Sequence, residues 1–426
     1  MSTPAAPAAA DGPMFPFRPI VLGAMVPTFL LEVGVGAALP IVVTRATDLG
    51  ASLGVASLLA ALVPVGQILA DLPAGGLTAR VGDRWAMVVA GLVAVVGFVL
   101  GVAAGSVVVL GAAALLLGGA QSVFAIARHA YLTSTTAPQR RARVLSTIAG
   151  VFRAGLFVGP FVGAAVLLAA STRWAFAVGA VTSLLAVVVV LAAGGSAADR
   201  PSPAPHGAGR QSMRAVVGRH RAVLVRLGAV AVTIAAVRGA RQTVLPIWAE
   251  HIGLDGATTS VIFGVAAGMD MLLFYPCGQV MDRFGRLWVG VPGMAIMGLA
   301  LAAIPLTGTA GQLGAAGLVL GIGNGITSGI LMTIGSDAAP ADGQAQFLAA
   351  WRLQGDLGAA ASPLVLAAGP ALGSLAVAVW VTSAVAAVSI GVQRRWLPRY
   401  SVHANRSTRR AAGLRPDGSL PTRLDE

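Results

Sequence analysis

Charged residues are scarce in this sequence of 426 residues: they make up 11% of the chain, whereas 56% of the residues are hydrophobic. About a quarter of the residues in a soluble globular domain are charged, so the composition excludes an ordinary soluble protein. Lysine is absent, and all 29 basic residues are arginines. The single Cys277 excludes an internal disulfide and, with no histidine or cysteine near it in sequence, gives no metal-binding motif. We expect neither a metal nor a cofactor.

Motifs for nucleotide binding and catalysis are also missing. The sequence has no glycine-rich phosphate loop and no plausible Ser/His/Asp grouping, and His129 beside Arg128 is interpreted as an interfacial residue. The first nineteen residues are rich in Pro and Ala, with no basic start and no short apolar core, which favours a disordered tail over a signal peptide. An enzyme is therefore disfavoured, and any transport would use an ion gradient, such as a proton gradient, rather than ATP.

What the sequence has in abundance is long apolar runs. A helix needs about 20 consecutive apolar residues to cross a bilayer core, and runs of this length are too long and continuous for the strands of an outer-membrane barrel. The sequence thus predicts an all-α integral membrane protein with twelve transmembrane helices. The twelve predicted spans are Ile20 to Thr44, Leu53 to Leu77, Trp85 to Ala104, Val107 to Tyr131, Val144 to Ala170, Trp174 to Ala193, Leu224 to Ile247, Thr259 to Val280, Leu287 to Leu306, Leu313 to Ile334, Phe347 to Ala368 and Leu372 to Val392.

The arginines are distributed by side of the membrane. If the amino terminus is cytoplasmic, 22 of the 29 fall in cytoplasmic segments, five lie within the spans, and only Arg45 and Arg173 fall on the opposite side of the membrane. The positive-inside rule then predicts that both termini lie in the cytoplasm of a plasma-membrane protein. This placement also argues against nucleic acid as the reason for the net charge of +13. The basic tail is interpreted as a solvated segment near anionic lipid.

The chain divides into two similar halves. A polar segment rich in Pro, Gly and Ser separates six spans from six spans and is interpreted as a linker. The run Leu39-Pro40-Ile41 in the first span matches Leu245-Pro246-Ile247 in the seventh, so the halves are interpreted as repeats in the same orientation. The predicted divisions are a tail at 1–19, the first half at 20–193, the linker at 194–223, the second half at 224–392 and a basic tail at 393–426.

A polar motif follows the second span of each half: GGLTARVGDR at 75–84, the first loop motif, and GQVMDRFGR at 278–286, the second loop motif. The pattern resembles that of the major facilitator superfamily of secondary transporters, which implies two parallel six-helix halves. The second copy matches in full, whereas the first has Ala79 at the acidic position and Asp83 at a basic one. The matching residues include Gly75, Arg80, Gly82, Arg84, Gly278, Asp282, Arg283, Gly285 and Arg286.

The resemblance also implies which loops meet between the halves. The motifs could simply be tight cytoplasmic turns, but each is expected to face a segment of complementary charge. We therefore hypothesise two charge latches that close the cytoplasmic side, with each exposed ion pair contributing about 0 to 1 kcal/mol. The hypothesised partners are Arg80 and Arg84 with Asp337 and Asp342, and Asp282 with Arg140, Arg141 and Arg143.

The fifth span carries Gly155, Gly159, Pro160 and Gly163 in a pattern that resembles an element of the family's proton-coupled exporters, lacking only its last glycine. Glycines four residues apart most often let two membrane helices approach closely. The added proline removes a backbone hydrogen bond and favours a kink. The sequence therefore supports either simple close packing or a helix that bends and seals at the interface between the halves.

Ionisable residues inside the spans are candidate functional groups, because each is costly unless paired or facing water. Glu32, Asp270 and Asp356 are the candidate proton-coupling residues, with Glu32 the first choice. A carboxylate in a low-dielectric cavity is destabilised by desolvation and stabilised by a neighbouring arginine, so solute arrival could change its protonation. For each buried charge the alternative is a structural ion pair. The candidate cavity arginines are Arg153, Arg238, Arg241 and Arg352, and Asp71 and Arg128 lie nearer the cytoplasmic ends.

These observations predict a monomeric secondary transporter in the lipid bilayer that exports a small organic compound in exchange for protons. The five arginines and four acids within the spans give a slight preference for an anionic or polar solute. An importer of an organic anion by proton symport is an alternative. A receptor or scaffold that does not transport is another, although it would leave the charged cavity unused.

Overall fold

The computed structural model describes residues 17–194, 213–340, 343–369 and 373–414. Within these ranges every regular element is a helix, which confirms the expected all-helical class. In the amino-terminal half, a π-helical segment at Phe17–Met25 precedes seven α-helices. They are α1 (Val26–Ala38), α2 (Ile41–Asp48), α3 (Leu53–Val81), α4 (Asp83–Ala103), α5 (Val107–Thr135), α6 (Pro138–Leu167) and α7 (Arg173–Ala192).

The carboxy-terminal half repeats this order. It begins after a short helix, α8 (Met213–Arg219), and is followed by another, α16 (Arg406–Ala411). Its helices are α9 (Arg221–His251), α10 (Gly256–Phe284), α11 (Leu287–Ala303) with a 3-10 turn at Ile304–Leu306, α12 (Ala310–Ile326), α13 (Ile330–Ala338), α14 (Gln344–Ala367) and α15 (Leu375–Tyr400).

Twelve membrane spans result, because α1 with α2, and α12 with α13, each form one broken span. Among the described residues, eleven spans are long and apolar enough to cross a bilayer by composition alone. The remaining span is α14, whose 24 residues are long enough but include Arg352 and Asp356. Such residues are tolerated in a membrane where the helix faces a cavity.

Two predicted boundaries are corrected by the structure. The segment 194–223, interpreted as a linker, contains α8 and the first turn of α9, and Val216 of α8 is buried against Leu224 and Phe347. The twelfth span continues as helix to Tyr400 rather than ending at Val392. Both differences arise because apolar side chains within these polar stretches, such as Val216 and Leu397, are buried against neighbouring helices.

Closely packed glycines hold the helices of each half together. On α6, a Cβ atom added to Gly155 would lie 2.6 Å from the Cβ of Glu32, and one added to Gly159 would lie 2.8 Å from the Cα of Gly36. The equivalent pair in the other half is α14 with α9, where a Cβ at Gly239 would lie 2.8 Å from the carbonyl oxygen of Ala359. Close packing thus fixes the inner helices that carry the charged residues.

Candidate functional site

A cavity of about 520 Å³ lies between the two halves. Its walls combine helices α1, α2, α3, α5 and α6 of the first half with α9, α10, α12, α13 and α14 of the second. All three candidate carboxylates and all four candidate arginines line it. These residues are Glu32, Asp270, Asp356, Arg153, Arg238, Arg241 and Arg352.

The cavity is closed at one end. At the end of the bundle opposite the two loop motifs, the Thr47 Oγ1 atom of α2 donates a hydrogen bond of 2.7 Å to Glu250 Oε1 of α9, which joins the halves. Val43, also on α2, is only 1% exposed there. At the end that carries both loop motifs, here called the motif end, the cavity-lining Met332 is 76% exposed. The structure is therefore a conformation open at the motif end.

The break between α12 and α13 creates polar groups at the centre of the cavity wall. Gly329 adopts φ +81°, a left-handed conformation that stops the helix and that glycine adopts without strain. Arg238 of α9 donates from Nη1 to the carbonyl oxygen of Asn324 and to Thr327 Oγ1, both at 2.9 Å. Broken helices with free backbone groups are tolerated at membrane depth where they line a cavity.

Ser328, in the same break, connects the two halves. It donates to Asp270 Oδ1 of α10 at 3.1 Å and accepts from Arg153 Nη2 of α6 at 3.1 Å. The Arg153 guanidinium also lies 3.9 Å from the centre of the Phe274 ring. Arg153 and Asp270, which are far apart in sequence, thus belong to one cluster.

A second cluster joins α3 to α14. Arg352 Nη2 lies 3.2 Å from Asp71 Oδ1, and its Nε lies 3.7 Å from Asp356 Oδ2. Ser122 of α5 donates a further hydrogen bond to Asp71. Asp71, which from the sequence was as readily a structural residue as a functional one, is therefore part of an ion-pair bridge between the halves. The bridge contains two acids and one arginine.

Glu32 forms a third site on α1. It is 5% exposed, and its electrostatic partner is Arg128 of α5. Arg128 donates from Nη1 to Thr28 Oγ1 at 3.3 Å, one helical turn before Glu32. Arg238, the candidate arginine on α9 of the other half, is held instead by Asn324 and Thr327 at the end of α12. The cation beside Glu32 belongs to its own half.

The loop motifs share one turn geometry. Gly82 and Gly285 adopt φ +86° and +103°, which places a left-handed glycine directly after α3 and α10. Such a glycine ends a helix without the strain that a side chain would introduce. By contrast, a Cβ atom added to Gly75 or Gly278 would meet nothing within 4 Å. The turn geometry therefore explains Gly82 and Gly285, whereas it does not explain Gly75 and Gly278.

In this conformation, open at the motif end, the hypothesised partners of the first motif contact residues of their own half, and their pairing in a closed motif end stays a prediction. Asp337 accepts from Arg286 Nε at 3.0 Å and from its Nη2 at 3.2 Å, so it is paired within its own half. Arg84 donates to the carbonyl oxygens of Val190 and Leu191 at the end of α7. Both contacts form because these groups lie at neighbouring helix ends of one half. Asp342 lies outside the described residues.

The second latch concerns a closed motif end, which is not the conformation described. Asp282 has a 78% exposed side chain and lies 3.8 Å from Arg286. Arg143 is exposed at the start of α6. Pairing of these two residues when the motif end closes stays a prediction.

The segment after α15 packs on the second loop motif, contrary to the interpretation of the whole tail as solvated. Arg409 is 1% exposed and donates to the carbonyl oxygens of Asp282 and Arg283 at 2.8 and 2.9 Å. The carbonyl oxygens of His403 and Ala404 accept from the first amides of α11. Helix ends leave such groups without partners, and this segment supplies them.

We expect Arg409→Ala to lower the free energy of unfolding by about 1 to 3 kcal/mol, because it removes a buried side chain and leaves two partly buried carbonyl oxygens without their donors. Thermal unfolding in detergent measures the loss. Arg410→Ala is the matched control, because Arg410 is the next residue of α16 and is exposed. Equal unfolding temperatures for the two variants would contradict this role.

Helix α6 uses opposite faces for its two partners. Gly155, Gly159 and Gly163 face α1 of the same half. Phe157 and Phe161 face α10 of the other half, where they lie against Gly268 and Gly264. The glycines therefore provide close packing within one half, and two phenylalanines that the sequence reasoning passed over form the contact between the halves.

Sequence reasoning also missed Asn324, Thr327 and Ser328, the groups that hold Arg238, Arg153 and Asp270. A signal was present in GIGNGITSGI at 321–330, where four glycines interrupt an apolar run. An interrupted hydrophobic segment is a sequence indicator of a binding site in a transporter. No group of three or more His, Cys, Asp or Glu residues suited to a metal ion occurs in the described ranges.

Comparisons with known proteins agree with this architecture. The sequence profile of the Major Facilitator Superfamily matches residues 24–363. A POT family transporter in complex with a thioalcohol-conjugated peptide has a similar structure, with a TM-score of 0.74 and 11% identity, covering 91% of this chain and 99% of its own. The peptide transporter POT in complex with sulfate has a TM-score of 0.73 and 16% identity, covering 92% of this chain and 96% of its own. The nucleoside transporter NupG has a TM-score of 0.69 and 12% identity, covering 87% of this chain and 98% of its own. No curated protein matches the chain significantly in sequence.

Proposed function

The chain belongs to the Major Facilitator Superfamily, and from that premise we propose that this secondary transporter exports a small organic solute in exchange for protons. The observation that carries the proposal is the cavity of about 520 Å³ between the halves, which is closed at one end and lined by three carboxylates. A cavity of this volume is typical of sites for small molecules. The carboxylates provide groups that can bind and release protons.

The proposal places the motif end in the cytoplasm of a cell membrane. Among the described residues, most arginines that lie outside the helical core are at this end, which is the asymmetry that the positive-inside rule describes. The open end of the cavity would then face the cytoplasm, from which an exporter takes up its solute. The glycine and proline element of α6 supports export by its resemblance to the exporter motif.

Alternating access requires the two halves to separate at one end as they meet at the other. The contact between Thr47 and Glu250 closes the far end, and a single hydrogen bond contributes only about 0.5 to 1.5 kcal/mol, so it can be broken in each cycle. Between α6 and α10, Phe157 packs against Gly268, and Ser328 bridges Arg153 and Asp270 through hydrogen bonds. Movement of the halves would therefore exchange these hydrogen bonds and the Arg352–Asp71 ion pair as well as the contact at the far end.

A proton gradient supplies enough energy for this cycle. One proton crossing a potential of 100 mV releases about 2.3 kcal/mol. Since about 1.4 kcal/mol corresponds to a tenfold concentration ratio, one proton could sustain a solute gradient of roughly 50-fold. A single proton site would therefore suffice for useful export.

Proton flux in proteoliposomes tests the proposal. Purified protein is reconstituted with a pH-sensitive dye inside, a pH gradient is imposed, and a panel of radiolabelled metabolites and drug-like compounds is added. We expect at least one solute to move against its gradient while protons move the opposite way, and an uncoupler to abolish this movement. Protons moving with the solute would instead support the importer. Absence of solute-dependent proton flux across the whole panel would argue for a receptor or scaffold.

A further inference from the structure

One wall of the cavity has an excess of positive charge. Arg153, Arg238 and Arg241 interact electrostatically with Asp270, and Arg238 also with the other two arginines. Asp270 is the acid that these three arginines share. Uncompensated charge at this depth of a membrane protein is costly, so its presence is a strong indicator of function. This arginine cluster, defined as Arg153, Arg238 and Arg241, thus has three cations around one shared carboxylate.

Several guanidinium donors of the cluster are also without partners. Arg241 is 5% exposed, and its Nε and Nη1 atoms have no hydrogen-bond partner among the described residues. The Nε atom of Arg153 is also buried and has no hydrogen-bond partner among the described residues. The Phe263 ring lies 5.4 Å from the Arg241 guanidinium and is close enough for a cation–π contact, which uses none of these hydrogen-bond donors. Buried polar groups in native proteins normally have partners, so the protein alone does not satisfy the hydrogen-bonding capacity of the cluster.

The rest of the cavity favours an apolar body on the same ligand. Val35, Leu39, Val63 and Pro64 line the wall that the first half contributes. Apolar walls with a few converging polar groups are characteristic of small-molecule sites. These four apolar residues belong to the first half, whereas Arg238 and Arg241 come from α9 of the second, so a ligand can make the two kinds of contact with different halves.

We propose that the solute is an amphipathic organic anion whose carboxylate or phosphate group binds to the arginine cluster while its apolar part packs against α1 and α3. This assignment rests on the proposed transport function and specifies its substrate class. Guanidinium groups bind carboxylate and phosphate oxygens through charge-assisted hydrogen bonds, and all three arginines of the cluster line the cavity. The anion joins the halves, because Arg153 belongs to the first and Arg238 and Arg241 to the second.

Export of an anion is also physically consistent with the membrane potential. With the cytoplasm negative, each negative charge that leaves the cell moves down the electrical gradient. Binding of the anion adds negative charge near Asp270, which favours proton uptake by a cavity carboxyl group. The cluster can therefore connect solute binding to proton binding.

Binding can be measured without transport, in nanodiscs at constant pH, by the rise in the thermal unfolding midpoint. The probes are 4-phenylbutyrate, its amide and the amine of the same skeleton, together with sodium chloride and inorganic phosphate. We expect the acid to stabilise the protein and the amide and amine to have little effect. Arg241→Gln should weaken binding of the acid about 10- to 100-fold, because hydrogen bonds to a charged group are lost. Arg173→Gln, at an exposed site outside the cavity, should bind as the wild type does.

Three results would overturn the assignment. The first is equal stabilisation by the amide or the amine, or no stabilisation by the acid at millimolar concentration. The second is equal protection by chloride or phosphate, which would identify a site for an inorganic counter-ion. The third is unchanged binding in Arg241→Gln. Binding of the acid without solute-dependent proton flux would leave the assignment intact and contradict only the proposed transport function.

Discussion

Glu32→Gln is expected to abolish solute movement driven by a pH gradient while preserving exchange of solute across the membrane without a gradient. Glutamine keeps the size and polarity of the side chain but cannot carry the proton. Glu32 lines the cavity, is 5% exposed and has Arg128 as its electrostatic partner. A carboxyl group with one cationic neighbour can change protonation as solute arrives, which is the property that coupling requires. Proteoliposomes with and without a pH gradient measure both activities.

The control for this prediction is Asp48→Asn. Asp48 ends α2 at the closed end of the bundle, where it accepts a hydrogen bond of 2.6 Å from Thr172 Oγ1 and does not line the cavity. The substitution removes the same type of group from a site with no expected role in coupling, so coupled transport should persist. If Glu32→Gln retains gradient-driven transport, the proton site must lie elsewhere. Asp356→Asn and Asp270→Asn are then the next variants to measure.

Gly159→Val is expected to lower the free energy of unfolding by about 3 kcal/mol, because overpacking a tight helix contact forces backbone movement. A Cβ atom at Gly159 would lie 2.8 Å from the Cα of Gly36 and 2.9 Å from the amide nitrogen of Ala37. These are main-chain atoms of α1, so no side chain can rotate away. The loss appears as a lower unfolding temperature and a lower yield of folded protein in detergent.

Gly150→Val is the matched control on the same helix. A Cβ atom at Gly150 would meet nothing within 4 Å, and the two substitutions carry the same intrinsic cost for a β-branched residue in a helix. A difference between the variants therefore reports the contact between α6 and α1. Equal stability would show that these helices separate readily, in conflict with the packing described.

Both predictions depend on α1, which the sequence marked as unusual for two separate reasons. Glu32 is an acid in an apolar run, and Pro40 follows it two turns later, where the structure breaks the span between α1 and α2. The closed end of the bundle is formed by α2, and the cavity wall by α1. The break thus separates the part of the span that contacts α9 from the part that carries the proton candidate.

The membrane spans could be predicted because each depends on local composition. A run of about 20 apolar residues specifies a helix in a bilayer whatever surrounds it. The loop motifs were equally readable, since Gly82 and Gly285 satisfy a local backbone requirement. The charges inside the spans indicated the cavity, because a charged group at that depth is costly unless it is paired or faces water.

The partners of those charges could not be predicted, because a charged side chain reaches groups on several neighbouring helices. In the conformation described, Asp337 pairs with Arg286, because the helix ends that carry these two residues are adjacent. The chain segment around Arg409 looked like any basic tail. Its burial depends on the carbonyl groups of Asp282 and Arg283 at the end of α10, which come close to Arg409 only in the folded protein.

The sequence by itself determined the class of protein, the number of spans, the repeated halves and the residues that carry charge into the membrane. These properties follow from composition and from local backbone preferences, which act over a few residues. The tertiary structure alone decided that Arg153, Arg238 and Arg241 share one carboxylate, that Asp71 joins Arg352 and Asp356, and that one end of the cavity is closed. Those facts depend on distances between helices far apart in sequence, which close packing sets.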